Sequence, residues 1–122
     1  KGFKERIVEG AGNLSGGQKQ RLSIARALVR KPDIYIYDDS FSALDMKTDA
    51  VLRQALKPEV KNAIVIIVAQ RVSTIMDADQ ILVLDEGRLA ASGRHEELLK
   101  TCPLYYEIAA SQLSEEELQN VC

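Results

Sequence analysis

Ile34-Tyr35-Ile36-Tyr37-Asp38-Asp39, a run of β-branched and aromatic residues that stops in two acids, decides the fold class of this 122-residue chain. Such side chains suit an extended backbone, so the run predicts a strand, and carboxylates at its end predict a site. Upstream, Ser15 predicts a helix cap. Leu22, Ile24, Ala25, Ala27, Leu28 and Val29 then recur as one broad apolar stripe, so a helix runs to about Arg30 before Pro32. Downstream, residues 40–45 turn into a helix over 46–57, which Pro58 follows. Residues 63–69 are apolar throughout, which predicts a parallel strand covered by helices on both faces. Strands over 81–84 and 89–92 flank a tight turn, and helices over 96–100 and 104–113 are separated by Pro103. Residues 1–13 read as loop and 114–122 as a polar tail that frays. Strands alternating with helices predict an α/β fold.

Composition narrows the function classes. Sixteen Lys and Arg against eighteen Asp and Glu give a net charge of −2, so there is no basic field to hold nucleic acid. The longest apolar run spans residues 63–69, whereas a membrane-crossing helix needs about twenty residues. The chain begins Lys1-Gly2-Phe3 with neither an initiator Met nor a signal-like stretch, and it reads as part of something longer. Cys102 and Cys122, twenty positions apart, build neither a metal site nor a disulfide framework, which points to a reducing compartment.

Leu14-Ser15-Gly16-Gly17-Gln18 is the sharpest motif. A hydroxyl and two glycines opening a helix leave backbone N–H groups and the positive end of the helix dipole facing outward, where phosphate binds. Standing alone, the motif is equally an ordinary Ser-capped helix behind a Gly-rich lead-in. It is followed in order by the acid-terminated strand, by Ser42-Ala43-Leu44-Asp45 and by Val68-Ala69-Gln70-Arg71.

With these motifs in this order, residues 2–112 closely resemble the nucleotide-binding domain of ATP-binding cassette (ABC) transporters. Leu14 to Gln18 resembles the signature motif, Ile34 to Asp38 the Walker B strand, Ser42 to Asp45 the D-loop, and Val68 to Arg71 the switch region. Glu9-Gly10-Ala11-Gly12 is similar to the segment that touches the intracellular loops of exporter-type members. The resemblance implies a P-loop NTPase-like α/β fold, a mostly parallel sheet flanked by helices. It implies that two such domains sandwich ATP head to tail, so Ser15, Gly16, Gly17 and Gln18 address the ATP of the partner chain. Asp38 would orient Mg²⁺, mostly through water, and Asp45 would bridge the two halves, unless it merely caps the helix that follows.

Two departures weaken this chain's own site. The family commonly has Glu after the Walker B Asp as the base that orients the attacking water; Asp39 stands there, one methylene or about 1.5 Å shorter. Reach matters, because a productive base sits about 2.6–3.2 Å from its proton and contributes about 10²–10⁴-fold. The switch His is replaced by Gln70, which hydrogen-bonds but carries no charge and shuttles no proton. Both changes predict weak hydrolysis at this site. None of the seven glycines is followed by Lys, so the phosphate loop of the family (Walker A) is not in this sequence and would lie upstream. The fold is therefore expected to be incomplete, with apolar faces exposed.

The sequence thus predicts, over residues 1–113, the C-terminal portion of an ABC ATPase domain, with 114–122 as its tail. The resemblance implies ATP and Mg²⁺ as cofactors, and hydrolysis by the whole transporter but not by this portion alone. It implies a transmembrane domain and a second ATPase subunit as partners; Asp39 and Gln70 favour a heterodimer, and a homodimer stays open. The place of work would be the cytoplasmic face of a membrane. Two other classes stay open: a non-catalytic regulatory nucleotide-binding module, and a chromosome-maintenance or DNA-repair ATPase, although no heptad arm is present. Outside the motifs, His95 is expected at the surface. Lys19, Gln20, Arg21, Arg26 and Arg30 are expected on a solvated helix face, and Tyr35 and Tyr37 in the core.

Overall fold

The structure is a computed structural model and describes residues 2–119. The chain divides into two compact units, Lys1–Val68 and Ala69–Cys122.

The first unit opens with two single 3₁₀ turns, Gly2–Lys4 and Glu9–Ala11. Gly10 makes the second possible: its φ of 70° lies in the left-handed region that glycine enters at no steric cost. Helix α1, Gly16–Val29, starts at the Ser15 cap as the sequence predicts. Strand β1, Ile34–Asp38, pairs in parallel with β2, Ile64–Val68, and helix α2, Met46–Glu59, connects them. Pro58 lies inside the last turn of α2 and not beyond it, although its ring supplies no N–H to the helix ladder there.

Ile24, Tyr35, Tyr37, Phe41, Leu44 and Leu56 form the core of this unit. Tyr35 and Tyr37 point to the same side of β1, as their two-residue spacing requires, and Tyr37 meets Phe41 edge-on at 5.4 Å. On the opposite face the register aligns Ile34 with Ile64 and Ile36 with Ile66, and these four are 47–67% exposed. Double coverage of the 63–69 run is therefore not what the described residues form. Helix packing meets one face of β1 and β2 only, and the other is an uncovered apolar surface that ends in Asp38.

The second unit opens with a short helix the sequence did not signal, α3, Val72–Ile75. An antiparallel hairpin of β3, Ile81–Asp85, and β4, Arg88–Gly93, follows. Its two-residue turn has Glu86 at φ 44° and Gly87 at φ 75°, the pairing that matches the twist of the flanking strands. Helices α4, His95–Thr101, and α5, Pro103–Ala110, come next, with Pro103 in the first turn of α5, where its missing N–H is harmless. Val72, Ile81, Val83, Leu98, Cys102, Tyr105, Ala109 and Leu113 make the core. Among the described residues the strands form one parallel pair and one antiparallel pair.

Two expectations are corrected in this unit. Residues 114–119 are not a frayed tail: the Ser114 N–H and hydroxyl donate to Glu117 Oε2, helix α6 spans Glu115–Gln119, and Leu118 packs on the core. Residues 120–122 lie outside the described residues. His95 is not at the surface but 5% exposed, because α4 and α5 fold against each other and bring Tyr105 over its ring.

Candidate functional site

The start of α1 is a reciprocal capping box. Gln18 N–H donates to Ser15 Oγ at 3.3 Å, and Ser15 N–H donates to Gln18 Oε1 at 2.9 Å. The box consumes acceptors and leaves donors. The Ser15 hydroxyl hydrogen, the Gln18 side-chain NH₂ and the N–H groups of Gly16 and Gly17 all remain for an external acceptor, with the positive end of a fourteen-residue helix behind them. A set so rich in donors suits an anion.

The two glycines also have a packing role. A Cβ on Gly17 would meet the Ala43 carbonyl oxygen at 3.2 Å and Leu44 Cδ2 at 3.3 Å, whereas one on Gly16 would meet only the Ala43 methyl, at 3.4 Å. The helix start therefore rests directly on the segment that follows the acid-terminated strand.

Asp38 closes β1 and is exposed on the uncovered face of the sheet. Asp39, next to it, has a left-handed φ of 49°, a region that Asp enters more readily than most side chains. Its N–H donates to Val68 O at 2.9 Å, and its carbonyl accepts from the Ser42 hydroxyl at 3.0 Å and from Gln20 Nε2 at 3.1 Å. The backbone is thus held on both sides, and the side chain is exposed. Asp45 caps α2: Thr48 N–H donates to Oδ1 at 3.0 Å and the Thr48 hydroxyl to Oδ2 at 2.6 Å. Those bonds, the Thr48 hydroxyl first, hold the Asp45 carboxyl below the usual range, so it is ionised at neutral pH.

Ser15, Gly16, Gly17, Gln18, Asp38, Asp39 and Asp45 therefore all belong to the first unit. Gln70 belongs to the second, where its side chain is exposed and its carbonyl accepts from Gln112 Nε2 at 3.0 Å. Gln112 Oε1 in turn accepts from Val72 N–H at 2.9 Å, capping α3 and fixing the segment that carries Gln70. Among the described residues no cluster of three or more His, Cys, Asp or Glu can hold a metal ion, and no helix is long and apolar enough to cross a membrane.

A family model described as ABC transporter matches residues 1–42, which hold the helix start and both acids. An uncharacterized ABC transporter ATP-binding protein of Mycobacterium tuberculosis is 50% identical over 111 residues, 91% of this chain and 19% of that protein. The ATP-dependent lipid A-core flippase of Francisella tularensis is 43% identical over 112 residues, 92% of this chain and 18% of its own length. The solved structure of a bacterial Atm1-family ABC exporter with ATP bound superposes with a TM-score of 0.88 at 43% identity, over 93% of this chain and 20% of that one. The chain belongs to the ABC transporter family. It spans about a fifth of the length of the relatives it matches.

For an ABC chain, the local motifs were the legible part. Gln20 and Gln112 were missed as positioning side chains, because their partners lie 19 to 42 residues away and no periodicity marks such a contact. Lys19, Arg21, Arg26 and Arg30 are exposed as expected; only Gln20 among that group turns inward.

Proposed function

We propose that this chain is the signature- and Walker B-bearing part of the ATP-binding domain of an ABC exporter, whose ATP binding and hydrolysis drive transport. The observation that carries the reading is the helix start at Ser15–Gln18, where the capping box leaves a cluster of free donors facing outward. In the assembled transporter these donors engage the γ-phosphate of ATP held by a second ATPase subunit, and the ionised Asp45 carries negative charge at the same junction. Asp38 fits a hydrated Mg²⁺ as a single exposed carboxylate, since Mg²⁺ keeps several waters and takes most other oxygens from phosphate. When bound, Mg²⁺ neutralises charge on the phosphates.

Hydrolysis at this chain's own site is weak. Asp39 is a short carboxylate on a backbone pinned by Val68, Ser42 and Gln20, so it cannot advance to make up the missing methylene. Gln70 supplies a neutral amide where an imidazole would be charged. The partner subunit is therefore a different chain with a competent base and His. A membrane domain docks near Glu9–Ala11, beside a pocket of about 280 Å³ lined by Ile7, Ala11, Leu14, Lys19, Leu22, Ser23 and Arg26, at the cytoplasmic face of the membrane. Apolar walls with two cations suit an amphipathic loop bearing acids. The test is trapping of ATP: the full-length transporter with its partner should retain one unhydrolysed ATP per pair over many turnovers. Equal hydrolysis of both would refute the asymmetry, and no hydrolysis at all would favour a regulatory nucleotide-binding module.

A further inference from the structure

We propose that Gln20 is a positioning residue that clamps the turn carrying Asp39, so that the phosphate-facing end of α1 and this chain's own base position move as one piece. The catalytic part of this inference rests on the proposed function; the clamp itself rests on geometry alone.

Gln20 stands in the second turn of α1, between two exposed cations, yet it is half-buried. Its amide is fully used. Nε2 donates to the Asp39 carbonyl at 3.1 Å and to the Ser42 hydroxyl at 3.1 Å, while Oε1 accepts the Ala43 N–H at 2.9 Å. Two donations and one acceptance within one planar group demand an amide of this length: Glu cannot donate, Lys cannot accept, and Asn is one methylene too short. Two of these residues are also tied to each other, since the Ser42 hydroxyl donates to the Asp39 carbonyl at 3.0 Å. Gly17 adds a second contact of α1 with this turn through its close approach to the Ala43 carbonyl.

The consequence is a rigid link between two different ATP sites. Residues 15–18 serve the partner's nucleotide, and Asp39 serves this chain's own. A shift of α1 on engaging the partner's phosphate is passed through Gln20 to the left-handed backbone of Asp39, where a misplacement of about 1 Å can cost about 100-fold in rate.

The test uses the complete transporter carrying this chain, with Asp39→Glu and Gln70→His as the background and the partner's base inactivated, so that only this chain's own site turns over. Gln20→Leu, near-isosteric and apolar, should accelerate amide exchange over residues 40–44 by about tenfold, the loss expected for one hydrogen bond. The same variant should lower kcat about tenfold or more while KM for MgATP stays within about threefold, because ATP binding does not use Gln20. Gln20→Glu, which keeps the acceptor for Ala43, should preserve exchange protection at Ala43 and still lose turnover. Ser42→Ala, a milder change if Gln20→Leu folds poorly, should lower kcat in the same direction. Unchanged exchange overturns the clamp. Faster exchange with unchanged kcat overturns the positioning role. A background transporter that hydrolyses no ATP overturns the proposed function instead, and the exchange measurement then decides the clamp by itself.

Discussion

Nδ1 of His95 lies 2.7 Å from the hydroxyl of Tyr105, both residues buried, and the second ring nitrogen, Nε2, is buried with no hydrogen-bond partner among the described residues. Protonation would place a charge and a second N–H where nothing receives them. Burial accordingly lowers the His95 pKa from 6.5, against a smaller opposite pull from Glu96 and Asp77, and pushes Tyr105 up to about 12.

Since the folded state holds His95 below its unfolded value of 6.5, its contribution to stability is complete above that pH and is lost as pH falls through the folded value. Urea unfolding of the chain followed by circular dichroism should show a midpoint that drops between pH 7.5 and 5, and His95→Gln should flatten that slope. Asp45 and Glu117, both held low by hydrogen bonds from Thr48 and Ser114, act in a separate window, losing their contribution only below their ordinary values of 3.8 and 4.5. An identical slope in His95→Gln between pH 7.5 and 5 would contradict the assignment.

Asp49 is 1% exposed and bonds Arg53 Nε at 2.8 Å, one helical turn on. Arg53 is only half-buried, so replacing Asp49 does not strand a buried cation but removes a charge-assisted hydrogen bond, which costs about 1.5–3 kcal/mol. Asp49→Ala should lower unfolding stability by about that amount, and Asp49→Ala with Arg53→Met should recover part of it. A single variant within about 0.5 kcal/mol of the parent would show that the pair carries no such weight.

Gly17 and Gly16 should differ. Gly17→Ala drives a methyl to 3.2 Å from a backbone carbonyl that cannot swing aside, an overpacking of about 1–3 kcal/mol that outweighs the helix-propensity gain of about 1 kcal/mol. Gly16→Ala meets only a methyl at 3.4 Å and should be neutral or slightly stabilising. Thermal unfolding of the two variants side by side checks the order, and the reverse order would mean that α1 does not rest on the 43–44 segment.

The elements that were legible from sequence are those whose cause is local. Ser15 and Gln18 bond each other across one turn, and Glu86-Gly87 sets its hairpin within two residues. His95 was misread because its burial comes from Tyr105, ten positions on, and a His beside two Glu looks solvated. The 63–69 run signals a strand buried on both faces, but hydrophobicity does not say whether the second cover lies within the residues described. The seven candidate residues of the first unit fall on the predicted strand end, helix start and cap, whereas the contacts of Gln20 needed three dimensions.

Restoring the longer carboxylate should restore chemistry. In the complete transporter, Asp39→Glu with Gln70→His should raise hydrolysis at this chain's own site by about 10²–10⁴-fold, the range of a well-placed general base. Glu fits a left-handed φ less readily than Asp, so a small loss of stability should accompany the gain. No gain with the partner's base inactivated would place the defect elsewhere.

Steady-state MgATP hydrolysis by the full-length protein, first alone and then with the half-transporter that copurifies with it, tests the central claim most directly. The account predicts turnover only in the mixture, abolished when Ser15 of this chain is replaced by a bulky residue such as Arg. Full turnover by the protein alone, or turnover in the mixture that ignores Ser15, would contradict it.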